Sequence, residues 1–100
     1  MSKIRESARG EECQVRIPGI CTFDNAKTIW SHYRGSAGGK GMSIKSDDLC
    51  GAYACTACDA CYDGQIKAPS GMTREQIEND WLTGHIRSMR ILLRKGLIKA

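Results

Sequence analysis

Between residues 73 and 95 the apolar positions recur at helical spacing, with Ile77, Trp81, His85, Met89 and Leu92 falling on one stripe. Thr73 and Gln76 form a capping-box pair at the start, Glu75 sits in the first turn, and Gly96 stands just past the end. The pattern predicts a helix over 73–95, with Arg87, Arg90 and Arg94 on another side of it. Upstream the period shortens. Residues 28–33, TIWSHY, are β-branched and aromatic and predict a strand, with Thr28, Trp30 and His32 on one face and Ile29, Ser31 and Tyr33 on the other. Cys13, Val15 and Ile17 alternate with Gln14 and Arg16, which predicts a second short strand ended by a turn at Pro18-Gly19.

The remaining segments read as connections. Residues 1–12 are charged and lack an apolar period, so they form a mobile arm or a short first turn. A turn is marked at Asp24-Asn25. Residues 35–41, GSAGGKG, hold four glycines in seven positions and predict a flexible loop. Residues 42–45 extend toward a further strand, and 46–49 form a turn. The stretch 55–62 predicts a helical turn or two closed at Gly64.

One hundred residues, 41% of them hydrophobic but only six aromatic, make a single domain over 1–100 with a thin core. A chain this small calls for a staple, and six cysteines offer one. Residues 1–20 carry Lys3, Arg5, Arg9, Glu6, Glu11 and Glu12 with no apolar run, so no secretory leader is read there, and no stretch is apolar for eighteen residues. The expected location is cytoplasmic, where thiols stay reduced and serve as metal ligands rather than disulfides.

Cys55 and Cys58 stand at C-x2-C spacing, which puts two thiolates on one ion from a single turn. Cys13 and Cys21 flank a small loop that can supply the other two, so the expected site is structural zinc on Cys13, Cys21, Cys55 and Cys58. Cys50 and Cys61 are left as spare thiols, with Cys61 an alternative ligand. An iron–sulfur protein is a rival, since Cys55, Cys58 and Cys61 match the first three ligands of a ferredoxin run; Gln65 stands where the fourth is expected.

The net charge is +4, and from Arg87 to Lys99 there are five basic residues and no acidic one. Arg87, Arg90, Arg94, Lys95 and Lys99 are candidate contacts for a nucleic-acid backbone. His32, ahead of the glycine-rich loop, is a candidate general base, and Arg34 a candidate to neutralise phosphate oxygens. Asp63 or His85 could help to hold a divalent ion.

Taken together, SKIRESARGEECQVRIPGIC, SHYR, DLCGAYACTAC followed by DG, and the C-terminal RSMRILLRKGLI resemble the YbcO family of small prophage-encoded nucleases. That family is similar to the HNH, or ββα-metal, endonucleases, in particular the RecA-dependent Ref type. The resemblance implies an α+β fold: a zinc-stapled ββα-metal core with a long C-terminal helix. It implies a DNA endonuclease of phage recombination or repair, with structural Zn²⁺ and a catalytic Mg²⁺ or Mn²⁺. A RecA-type recombinase filament is an implied partner. His32 matches the first histidine of the motif, and Asp48 stands where the middle asparagine is usual. Asp59 takes the place of the final histidine, and joins Asp63 and His85 as the expected ligands of the catalytic ion. The alternative is a zinc-stabilised nucleic-acid-binding module without cleavage, which the Asp59 departure favours.

Overall fold

A computed structural model of the protein describes residues 3–33 and 49–99; Arg34, Asp48, the loop expected over 35–41 and the extension expected over 42–45 lie outside the described residues. The elements run α1 (Lys3–Ser7), a 3-10 turn (Asn25–Lys27), β1 (Thr28–His32), β2 (Gly51–Cys55), α2 (Thr56–Tyr62) and α3 (Arg74–Arg94). The described residues form a small α+β fold with one two-stranded sheet and a long C-terminal helix.

β1 and β2 pair antiparallel, with Thr28 opposite Cys55 and His32 opposite Gly51. β1 forms where the β-branched and aromatic run predicts it. β2 was not foreseen, because Gly-Ala-Tyr-Ala-Cys has little intrinsic strand preference. It is extended because all five residues are buried and their backbone groups need partners. On the edge away from β1, the Tyr53 N–H donates to Ser88 Oγ at 2.9 Å and its carbonyl accepts from the Gln14 N–H at 2.8 Å. Small residues are required here: a Cβ on Gly51 would lie 2.5 Å from the Trp30 indole.

Residues 13–17 run beside β2 but are not the strand that their alternation predicts. Arg16 sits at φ +54, which breaks the extended path. Cys13, Val15 and Ile17 are nonetheless buried, while Arg16 is exposed. The expected turn follows, with Gly19 at φ +78.

Both ends of α3 carry their predicted signals: the Thr73 hydroxyl accepts from the Gln76 N–H at 3.2 Å, the Gln76 side chain accepts from the Thr73 N–H at 2.8 Å, and Gly96 sits at φ +74. The buried stripe is shifted from the predicted one. Ile77, Trp81 and Leu92 are buried as expected, joined by Gly84, Ser88 and Ile91, whereas His85 and Met89 are half-buried. Gly84 explains the shift, since a Cβ there would come within 2.8 Å of Val15 Cα. The helix backbone therefore rests directly on residues 13–17.

The hairpin divides two cores. Ala52 and Ala54 join Cys13, Val15, Ile17, Ile77 and Trp81 on one side. Tyr53 and Trp30, edge to face at 5.1 Å, join Ala8, Ile91 and Leu92 on the other. α1 docks on this second core: Ser7 Oγ lies 2.6 Å from the Tyr53 hydroxyl, and Lys95 reaches Glu11 at 2.7 Å. Of the two expectations for the N-terminal residues, the structure has the short turn, docked rather than free. No helix among the described residues is long and apolar enough to cross a membrane.

Candidate metal centre

The left-handed Arg16 bends residues 13–17 back, and the Cys21 N–H bonds the Ile17 carbonyl at 2.9 Å, closing a loop with a cysteine at either end. The other two cysteines come from the junction of β2 and α2. Cys55 ends the strand and caps the helix, its sulfur accepting from the Cys58 N–H at 3.4 Å. Cys58 follows within the first turn of α2, so its sulfur returns to the same point. The four sulfurs of Cys13, Cys21, Cys55 and Cys58 lie within 4.8 Å of one another, with Cys21 part-exposed and the other three buried.

That quartet fits a tetrahedral metal. Zinc–thiolate bonds of about 2.3 Å put ligand sulfurs about 3.8 Å apart, and Cys21 and Cys55 stand 4.0 Å apart. The Arg16 N–H points at Cys13 Sγ from 3.5 Å, an outer contact that favours thiolate. The hydrogen bond between Cys13 and Cys58 pulls Cys13 down to about 5 and pushes Cys58 up, while burial pushes Cys21 up to about 11. Burial opposes it, but the N–H groups of Thr22 and Cys58 hold Cys55 below its ordinary value. Cys50 and Cys61 stand outside the cluster, and burial pushes the Cys61 thiol up. With Cys61 excluded, the group that closes is not the ferredoxin-like run.

The other predicted residues are distributed around the end of the hairpin. His32 is half-buried at the last position of β1, opposite Gly51. His85 approaches the same place from α3: its Nδ1 lies 2.6 Å from the Gly51 carbonyl, and its ring stacks on Trp81 at 5.8 Å. A carbonyl only accepts, so Nδ1 is the donor in this bond. Asp59 accepts from Ser31 Oγ at 2.5 Å, and Ser31 accepts from Trp81 Nε1 at 3.0 Å. The Trp81–Ser31–Asp59 chain of hydrogen bonds thus orients the Asp59 carboxylate. Asp63 caps α2, where its carboxylate accepts from Gln65 at 2.7 Å. Among the described residues, Asp59, Asp63 and His85 do not converge on one point as the cysteines do.

Arg87, Arg90 and Arg94 of α3 line a groove of about 800 Å³ together with Glu11, Glu12 and Arg16, the last lying outside the predicted basic run. Arg87 donates to the Gln14 carbonyl at 3.0 Å, and Arg16 donates from Nε to the Cys13 carbonyl at 3.0 Å. Arg90 and Arg94 line the same groove, Lys95 is engaged with Glu11, and Lys99 lies exposed beyond the helix. Ser31 and Trp81 were likewise missed as site residues, since their bond joins positions fifty apart in the chain.

Comparison with known proteins settles the family. The family described as "Putative nuclease YbcO" matches residues 2–97. The chain belongs to the YbcO family. Two relatives, "Putative nuclease YbcO" of Escherichia coli (strain K12) and "Putative nuclease ybcO" of Enterobacteria phage 82, are each 37% identical over 101 residues, spanning the whole of both chains. A solved structure, "Structure of a putative bacteriophage protein from Escherichia coli str. K-12 substr. MG1655", superposes with a TM-score of 0.76 at 32% identity, covering 94% of this chain and 100% of that one. Nuclease is thus the activity attached by name to this family, and the cysteine cluster is its candidate metal centre in this chain.

Proposed function

We propose that this YbcO-family protein is a metal-dependent endonuclease of the HNH type that hydrolyses phosphodiester bonds in DNA. The observation that carries this reading is the hairpin-then-helix order, pinned at the β2–α2 junction by the four cysteines, with His32 at the end of β1 and Asp59 on α2 bonded to the adjacent Ser31. His32 takes the proton from the attacking water as general base. By the resemblance, Asp48 would orient the loop around the base, and Arg34 would neutralise the phosphate oxygens; both lie outside the described residues. Asp59 would hold Mg²⁺ or Mn²⁺, which would supply charge stabilisation at the phosphate and leaving oxygen; Asp63 and His85, expected beside it, do not meet it at one point among the described residues. Magnesium sites are commonly completed by substrate phosphates and water, so few protein donors are needed. Arg87, Arg90 and Arg94, with Lys95 and Lys99, track the DNA backbone without reading its sequence. The place in phage recombination or repair, with a recombinase filament as partner, follows from the resemblance to the Ref type.

The second reading is a zinc-stabilised nucleic-acid-binding module. It is favoured by Asp59, which replaces a histidine and has one carboxylate oxygen committed to Ser31. Plasmid and single-stranded DNA incubated with Mg²⁺ or Mn²⁺ separates the two. Nicking that disappears in His32→Ala, at unchanged zinc content, is the expected result. Binding without cleavage under either ion would leave the module.

A further inference from the structure

Arg16 is held in place by its own backbone and by Cys13. It sits at φ +54, a conformation that glycine takes at no steric cost and arginine does not. Its N–H faces Cys13 Sγ at 3.5 Å, and its Nε donates to the Cys13 carbonyl at 3.0 Å. Arg87 reaches the next carbonyl along from α3, its Nη1 donating to Gln14 at 3.0 Å. Two guanidinium groups are thus tied to consecutive carbonyls of the segment that carries the first cysteine, and both line one groove with Arg90 and Arg94. We propose that Arg16 and Arg87 form a fixed phosphodiester-binding subsite for a nucleic-acid strand, with Arg16 set in place by the cysteine cluster.

Charge and donor geometry select a phosphate-bearing strand. The groove sets four guanidinium groups against the carboxylates of Glu11 and Glu12. Glu11 is matched by Lys95 at 2.7 Å, and Glu12 stands 3.8 Å from Arg16 in an exposed pair of little strength. Asp80 also feels Arg87, yet burial still pushes its carboxyl up, so that cation is not spent on it. The excess is positive, which attracts a polyanion. An arginine that donates to a neutral carbonyl keeps its whole charge, and its remaining N–H groups can fork onto phosphate oxygens. Anchoring the fork beforehand lowers the entropy lost when a phosphate arrives. The subsite rests on the nucleic-acid reading above, common to the nuclease and the binding module, and needs no cleavage.

Fluorescence anisotropy of the full chain with labelled DNA, duplex and single-stranded, over a series of salt concentrations tests the subsite. Arg16→Gly suits the left-handed backbone and keeps the N–H at Cys13 Sγ, so zinc content and helical circular dichroism should match wild type. Its affinity should fall about tenfold, the worth of one charge-assisted contact, and its salt slope by about one. Arg87→Ala should do the same. Arg16→Lys keeps the charge but not the Nε anchor, so the slope should hold while affinity falls several-fold. Wild-type affinity and slope in Arg16→Gly, where Arg90→Ala still lowers the slope, overturn the subsite alone. A wild-type protein that binds neither form of DNA removes the nucleic-acid reading and the subsite with it. Binding by Arg16→Lys as tight as wild type overturns the fixed geometry and leaves diffuse charge in its place.

Discussion

At the scale of single residues, the smallest side chains decide how the helix meets the sheet. Gly84 and Ser88 occupy the centre of the buried face of α3, one because a Cβ would strike the Val15 backbone, the other because its hydroxyl bridges the Gly84 carbonyl and the Tyr53 N–H. Gly84→Ala should therefore destabilise the fold by about 1–3 kcal/mol, the usual cost of overpacking a fitted contact, although alanine is the better helix former. Thermal unfolding reads this directly, and a raised Tm would show that residues 13–17 do not press on the helix. The contact also explains why the predicted stripe was displaced. Hydrophobic periodicity weighs His85 and Met89 as core and passes over glycine and serine, yet closest approach belongs to residues with little or no side chain. Ile77, Trp81 and Leu92 were legible because they are large and apolar; Gly84 and Ser88 were not, because their burial is set by the backbone they touch.

At the scale of elements, local signals marked α3, β1 and α2, each of which carries its own caps or its own β-branched run. β2 carried none. Its extended form comes from partners on both edges, one of them Gln14, some forty residues earlier in the chain. The same partner shows why 13–17 misled: its alternation reflects burial against β2, while Arg16 turns the backbone out of a strand so that Cys13 can face Cys58. The docking of α1 is likewise invisible locally, since it rests on Tyr53 and on the Glu11–Lys95 ion pair. The Lys95 ammonium holds the Glu11 carboxyl below its ordinary value, and Glu11 raises Lys95 in return. The carboxyl contribution is present above its unfolded value and fades as pH falls through the lower folded one. The ammonium contribution is present below its unfolded value and fades as pH rises through the raised folded one. With Lys95 39% and Glu11 22% exposed, solvent screening limits the pair to about 0.2–1 kcal/mol. Lys95→Met should remove that increment at neutral pH and flatten this part of the acid limb; hydrogen exchange of the α1 amides measures it, and unchanged protection would mean that the ion pair does not anchor the turn.

At the scale of the whole molecule, the fold brings an arginine-rich groove, bordered also by Glu11 and Glu12, up against the cysteine cluster. Arg16 belongs to both: its N–H faces Cys13 Sγ and its side chain lines the groove with Arg87, Arg90 and Arg94. If that groove follows phosphates, Arg90→Ala and Arg94→Ala should each lower the salt slope of DNA binding by about one. Slopes equal to wild type would make the groove plain solvated surface. The cysteine site was the most legible part of the molecule, because C-x2-C spacing fixes two ligands locally and leaves a distant pair to complete four. The residues of the proposed cleavage site were less so: the Trp81–Ser31–Asp59 chain joins three elements and has no motif of its own.

Everything in this account hangs from the cysteine quartet that pins hairpin to helix. Zinc-edge X-ray absorption on the purified protein, with metal content measured on the same sample, reads it most directly. The account predicts one zinc per chain with four sulfurs at about 2.3 Å. Substoichiometric metal, or nitrogen and oxygen ligands in place of sulfur, would contradict it.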